Sequence, residues 1–236
     1  MKEAKITAEL LSCTPHPLLA IEAAGRTCYK SEDRIEDCAT CGGTGFVSGE
    51  NLSGDGVGAY DECPECAERA RTFAAMLIKR GHEAMIEHAV ATFRFVCDRG
   101  VTHELVRHRL ASFGQESTRY CNYGKDKFGS EITVIRPPGL TDEQWERRED
   151  LFAQIEMLYL METGERVKPQ IARGILPISL KTEIVTTANF REWRHILKLR
   201  TAKPAHPQIR IMMRQVYDVF AKKWPVIVED VEPYEE

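Results

Sequence analysis

Apolar and polar positions recur along most of the chain with periods that predict discrete elements. Residues 5–12 read as a strand, and residues 17–29 (PLLAIEAAGRTCY), apolar at helical spacing, as a helix. Residues 69–80 form a second helical pattern with Phe73, Met76 and Leu77 on one face and Gly81 as its stop. Residues 89–97 (AVATFRFVC), rich in β-branched and aromatic side chains, predict a strand, residues 100–109 a short helix, and residues 132–135 a strand closed by Pro137 and Pro138. Thr141 with Gln144 three residues on is a capping box, and it opens a long helix striped by Trp145, Phe152, Ile155 and Tyr159. Residues 182–187 then predict a strand, 189–200 a helix, and Ile209, Met212, Met213, Val216 and Phe220 a last helix. Helices mixed with isolated strands, without regular βαβ units or internal repeats, predict an α+β fold over residues 1–236 as one domain.

The pattern breaks between residues 36 and 68. That window is rich in glycine, nearly free of aliphatic side chains, and carries four of the chain's eight cysteines, so it reads as an insertion. Cys38 and Cys41 form one C-x-x-C and Cys63 and Cys66 another, with Gly42, Gly43, Gly45 and Pro64 as turn residues. Four soft thiolates in two tight pairs suit a tetrahedral structural zinc site, and CATCGGTG resembles the zinc knuckles of DnaJ-type chaperones. All four positions would be filled by protein, leaving none open for catalysis, and such a site supplies on the order of 10 kcal/mol of folding free energy. Two redox pairs or four unrelated thiols are the other readings.

Composition narrows the class. With 236 residues, 43% hydrophobic and 29% charged, disordered and fibrous readings fall away. A net charge of −4 argues against a sequence-independent grip on nucleic acid. The first residues hold no extended apolar run, and nowhere do about 18 apolar residues follow one another, so neither export nor membrane spanning is expected. Reduced thiols in a cytoplasm follow.

Chemistry concentrates in residues 104–120, ELVRHRLASFGQESTRY, where Arg107, His108, Arg109 and Arg119 crowd around Ser112, Gln115, Ser117 and Thr118. Successive helical positions differ by about 100°, so Arg107, His108 and Arg109 cannot all serve one ligand atom. The cluster suits phosphate groups and a polar heterocycle. Other readings are a salt-bridge network in which Glu104 pairs with Arg107 or His108, and a nucleic-acid patch.

The pattern R-H-R-x-x-S-x-x-x-x-S-x-R, present as Arg107, His108, Arg109, Ser112, Ser117 and Arg119, closely resembles the signature of flavin-dependent thymidylate synthases. AAGRTCYKS (23–31), GHEAMIEHAVATF (81–93), ARGILP (172–177) and ANFREWRHILKLR (188–200) are similar to that family as well. The resemblance implies helices around an antiparallel sheet and reductive methylation of dUMP to dTMP, with 5,10-methylenetetrahydrofolate as carbon donor, FAD as hydride carrier and NADPH as reductant. It also implies a homotetramer with sites shared among subunits.

Carried over by motif, Arg107, His108, Arg109, Gln115, Asn189, Arg191, His195 and Ala84 would meet the flavin. Glu104, Arg107, Gln115, Glu116, Ser117, Thr118, Arg119, Arg173 and Arg200 would surround dUMP, with Arg200 assisting ionisation of the uracil ring. The chain departs from the family pattern at Gly114 (commonly Asn), Ala84 (Ser or Thr) and Glu104 (Gln). A carboxylate at position 104 needs a cationic partner.

Cys121 follows the motif and could be taken for a nucleophile, but in the resembled family hydride from reduced flavin activates the pyrimidine. Cys121, Cys13, Cys28 and Cys97 are therefore expected to be packing residues. Ser117 is read as a hydrogen-bonding group. His82 and His88, with Glu83 and Glu87, mimic a helical metal site but fall in the segment assigned to the flavin. Met212 and Met213 are read as core or subunit contacts. A zinc-stabilised nucleic-acid binder and an inactive nucleotide-binding family member are the competing functions.

Overall fold

A computed structural model describes residues 1–36, 38–48 and 60–235. In chain order the strands are β1 (Lys2–Ala4), β2 (Thr7–Cys13), β3 (Phe46–Ser48), β4 (Tyr60–Glu62), β5 (Val90–Asp98), β6 (Ala111–Gln115), β7 (Thr133–Ile135) and β8 (Lys181–Asn189). The helices are α1 (Pro17–Tyr29), α2 (Asp33–Glu36), α3 (Pro64–Lys79), α4 (Arg99–Leu105), α5 (Asp142–Gly164), α6 (Pro169–Ala172), α7 (Phe190–Arg200), α8 (Pro207–Lys223) and α9 (Pro225–Val228). Strands β2, β5, β8 and β6 pair in that order into one antiparallel sheet. The α+β expectation holds, with one parallel exception in the short pair of β1 and β7.

Strict alternation in β5 and β8 decides how this sheet is covered. Ala91, Phe93, Phe95 and Cys97 of β5, with Thr182, Ile184, Thr186 and Ala188 of β8, are buried, while their neighbours lie on the more open face. The buried face meets Trp193, Ile196 and Leu197 of α7, Ile209, Met212, Met213, Val216 and Phe220 of α8, and Phe73 and Leu77 of α3. Phe93 stacks edge-on against Trp193, with ring centroids 5.0 Å apart, and the indole Nε1 donates to the Ala91 carbonyl at 3.0 Å. Met212 and Met213 are thus core residues.

A second core gathers Tyr123, Ile132, Val134, Trp145, Phe152, Tyr159 and Leu180 beneath α5. The expected capping box opens that helix: the Gln144 amide donates to Thr141 Oγ1 at 3.2 Å and the Thr141 amide to Gln144 Oε1 at 3.0 Å.

Three expectations need correction. Helix α4 ends at Leu105 rather than 109, because the chain must reverse to lay β6, which the sequence did not suggest, antiparallel on β8. Helix α3 begins at Pro64, so the second C-x-x-C belongs to a helix start rather than to a loop. Cys28 is exposed rather than packed, whereas Cys97 is fully buried. Residues 37 and 49–59 of the window read as an insertion lie outside the described residues. Among the described residues no helix is long and apolar enough to cross a membrane.

Candidate active site

The end of α4 and the end of α7 meet at Arg200. Its Nε donates to His108 Nε2 at 2.9 Å, one Nη donates to Glu104 Oε2 at 3.1 Å, and the other to the Glu104 carbonyl at 3.2 Å. Behind His108, 3.4 Å from its Nδ1, stands Glu192 Oε1. Because Nε2 accepts from a guanidinium, the proton of the imidazole belongs on Nδ1, facing Glu192. Burial above all, then the charge of Arg200 and of His195, pulls the His108 pKa down to about 4, so the ring is neutral near pH 7. Burial likewise raises the Glu192 pKa, against the opposing charge of His195.

This array supplies the cation that Glu104 requires, but it is Arg200, 96 residues away, and neither Arg107 nor His108, the two partners that helical spacing offered. Arg107 projects outward into solvent, as does Arg109, while His108 between them turns inward and is 5% exposed. Neither flanking arginine makes an ion pair among the described residues. His108, Glu192 and His195 also lie within 4.8 Å of one another, a spacing that could hold a cation. Arg200 already occupies His108 Nε2 and places positive charge there, which disfavours a metal.

Helix α7 carries the array because its N-terminus is fixed. Asn189 caps it, Oδ1 accepting from the Glu192 amide at 2.8 Å, and Trp193, Ile196 and Leu197 bury its inner face. Beside it opens a pocket of about 410 Å³ lined by Asn189, Arg191, Glu192, Arg194, His195 and Lys198, with Glu83 and Glu87 from the 3-10 turn Glu83–His88. Arg191 pairs with Glu87 at 2.5 Å and Arg194 with Glu83 at 3.1 Å, so these two carboxylates are engaged by guanidinium groups. Ala84 on the same turn is exposed, and His82 bonds to the Tyr29 hydroxyl.

Strand β6 leads to a second concentration of motif residues. The Gln115 side chain donates to the hydroxyls of Thr102 and Thr182 at 3.0 and 3.3 Å. Glu116 accepts from the Tyr123 hydroxyl at 2.8 Å and from Lys181 at 3.3 Å. These three residues line a cavity of about 680 Å³ with Arg94 and Gly114. Burial first, then Glu116, raises the Tyr123 pKa and keeps its proton on. A Cβ at Gly114 would meet nothing within 4 Å, so the backbone there does not require glycine for space. Thr118, buried, accepts from Arg173 at 3.3 Å, whereas Ser117 Oγ receives the Arg119 amide at 3.3 Å and the Arg119 side chain lies exposed over Tyr120. The Cys121 thiol is pushed up, first by burial and then by Glu116, which is the behaviour of a packing residue and not of a nucleophile.

The structure therefore unites Glu104, His108, His195 and Arg200, joins Thr118 to Arg173, and leaves Arg107, Arg109 and Arg119 facing outward in a single chain. Glu192, Lys181 and Tyr123 were missed by sequence reasoning. Glu192 had a signal: it lies three residues before His195 on the same helix, which places those two on one face.

The fold is shared with a UMP/dUMP methylase from Streptomyces cacaoi whose structure was solved bound with 5-Br dUMP: TM-score 0.71, 22% identity, 97% of this chain and 96% of that one covered. The chain belongs to the family described as thymidylate synthase complementing protein (Thy1), whose model matches residues 9–226. Similar relatives include the flavin-dependent thymidylate synthase of Pyrococcus furiosus, 35% identical over 156 residues that cover 65% of this chain and 61% of the relative. Another is that of Geobacter sulfurreducens, 29% identical over 228 residues covering 95% of this chain and 86% of the relative. The matched stretch spans 58 to 61% of the length of the archaeal relatives from Pyrococcus and Thermococcus.

Proposed function

We propose that this protein is a flavin-dependent thymidylate synthase, converting dUMP to dTMP with FAD, NADPH and 5,10-methylenetetrahydrofolate. The observation that carries the reading is the Arg200 array in a chain of the Thy1 family.

The donor set suits a flavin dinucleotide. Arg107 and Arg109, without ion pairs among the described residues, present guanidinium groups to solvent that suit a pyrophosphate, and Asn189, Arg191 and His195 line the neighbouring pocket, where Arg191 is paired with Glu87. Gln115 and position 84 belong to the same proposed flavin environment. When bound, FAD would supply the hydride that completes the methyl group.

The chain's own residues would do the rest. Glu104, Arg107, Gln115, Glu116, Ser117, Thr118, Arg119, Arg173 and Arg200 are proposed to hold dUMP. Arg200 has five N–H bonds and commits one each to the His108 ring, the Glu104 carboxylate and the Glu104 carbonyl, which leaves two for a ligand. Its charge, held in place by a neutral imidazole, would stand where the uracil ring gathers negative charge. The outward-facing arginines fit a homotetramer in which each site is completed by another subunit. Leu110 (75% exposed) and Tyr120 (78% exposed) beside them are apolar surface such an assembly would cover.

Incubating the protein with dUMP, methylenetetrahydrofolate, NADPH and FAD is expected to yield dTMP by chromatography, with none when any one component is omitted. Nucleotide binding without product would instead indicate an inactive family member. Glu62, Glu65 and Glu68 around the second cysteine pair oppose the nucleic-acid reading.

A further inference from the structure

We propose that Cys38, Cys41, Cys63 and Cys66 bind one soft divalent cation of the zinc class through four thiolates, with the Arg69 guanidinium as the outer partner that balances the charge of the cluster. Their sulfur atoms all lie within 4.8 Å of one another, Cys38 to Cys63 at 3.8 Å and Cys41 to Cys66 at 3.5 Å. A zinc–sulfur bond of about 2.3 Å puts the corners of a tetrahedron about 3.8 Å apart, whereas a disulfide needs about 2.05 Å. The spacing is that of ligands around a common centre, and all four thiols are free.

The backbone is shaped for this geometry. Gly42 and Gly45 adopt φ of 61° and 82°, which turns the chain so that the Gly45 amide donates to Cys41 Sγ at 3.2 Å. Cys63 is the N-cap of the 16-residue helix α3 and Cys66 lies in its first turn, where the helix dipole favours negative charge. Among the described residues, the apolar side chains packed on this cluster besides the sulfurs are Leu19 and Val47, too little apolar surface to order it.

Arg69 is the independent observation. Its Nε donates to buried Glu22 at 2.9 Å, its Nη2 is buried with no hydrogen-bond partner among the described residues, and the guanidinium faces Cys66. Four thiolates around a divalent cation carry net charge −2, and a guanidinium N–H aimed at one of them satisfies both charge and hydrogen bond. Glu22 also holds Arg26 of α1 at 2.9 Å, so the cluster is wired into the contact between α1 and α3. On binding, the thiol protons leave to solvent, including the one that Cys38 offers to Glu65 at 3.5 Å. Glu65 would then turn away.

The test uses the full chain, expressed with zinc and buffer-exchanged. Elemental analysis is expected to give about one zinc per chain, retained by Cys28→Ser, whose thiol lies outside the cluster, and lost from Cys66→Ser. Cobalt substitution of the wild-type protein is expected to give the intense thiolate-to-metal charge-transfer band of a tetrathiolate site. Arg69→Gln is expected to weaken metal retention against a chelator roughly 10- to 100-fold. The proposal is overturned if wild-type protein holds far less than one ion and takes up no cobalt. It is equally overturned if all its thiols react with a thiol reagent without releasing metal. Because both decisive readouts are made on the wild-type chain, a variant that fails to fold leaves the test intact.

Discussion

Replacing Arg200 with alanine is expected to lower kcat for dTMP formation by roughly 100- to 1,000-fold, the loss found when one preorganised group facing developing charge is removed. The fold should survive, since Arg200 is the last residue of α7, keeps 21% of its side chain exposed, and leaves the buried face of that helix untouched. Lysine at 200 is expected to recover only part of the rate. A single ammonium keeps the charge but cannot hold the His108 ring and the Glu104 carboxylate in the fork geometry that fixes it. Steady-state kinetics with a melting curve on each variant separates the effects. A normal kcat in Arg200→Ala would reduce the residue to a strut for Glu104 and His108.

Arg194→Met is expected to be among the most destabilising single changes near the site, by about 2–3 kcal/mol, because it removes a buried cation's charge-assisted hydrogen bonds and leaves the buried Ile227 carbonyl without its donor. Arg194 is 2% exposed. It donates to the Ile227 carbonyl, to both oxygens of Asp230 at 2.7 and 3.0 Å, and to Glu83 at 3.1 Å, tying α7 to the C-terminal segment and to the 3-10 turn beside the pocket. For a chain of this length the melting temperature should fall by about 5–10 °C.

The pH dependence has a definite sign. Partial burial pushes the Asp230 carboxyl up, but hydrogen bonds from Arg194 and Lys198, and their charges, bring it down to about 2. A depressed carboxylate stabilises the fold fully above its unfolded pKa of about 3.9, and that contribution is lost as pH falls through about 2. The gap in melting temperature between wild type and Arg194→Met should therefore be wide at pH 7 and narrow below pH 3. A gap of only a degree or two at pH 7 would show that Lys198 alone holds Asp230.

Local signals made parts of this molecule legible and long-range pairing hid the rest. Helix α1 matched its predicted bounds because Pro17 opens it and Lys30, with φ of 50°, closes it. Helix α5 was marked by a capping box that the side chains do form. Strand β6 was invisible because ASFGQ has no β-branched residue and a glycine inside it. It is a strand only because β8 offers a free edge, with Ala111 facing Ala188 and Gln115 facing Ile184.

The candidate site behaved the same way. The motif singled out residues 104–119, but Glu104 and His108 find their partner in Arg200, at sequence separations of 96 and 92 that no helical spacing encodes. The cysteines were the reverse case, since two C-x-x-C pairs announce a convergence that the folded chain achieves.

Titrating FAD-loaded protein with dUMP and following the flavin absorption bands is the decisive measurement for a coenzyme and a uracil nucleotide seated together. A saturable spectral shift, lost in Arg107→Ala and Arg109→Ala proteins that no longer retain FAD, is the predicted result. A chain that holds no flavin, or whose flavin spectrum is indifferent to dUMP at any concentration, would contradict it.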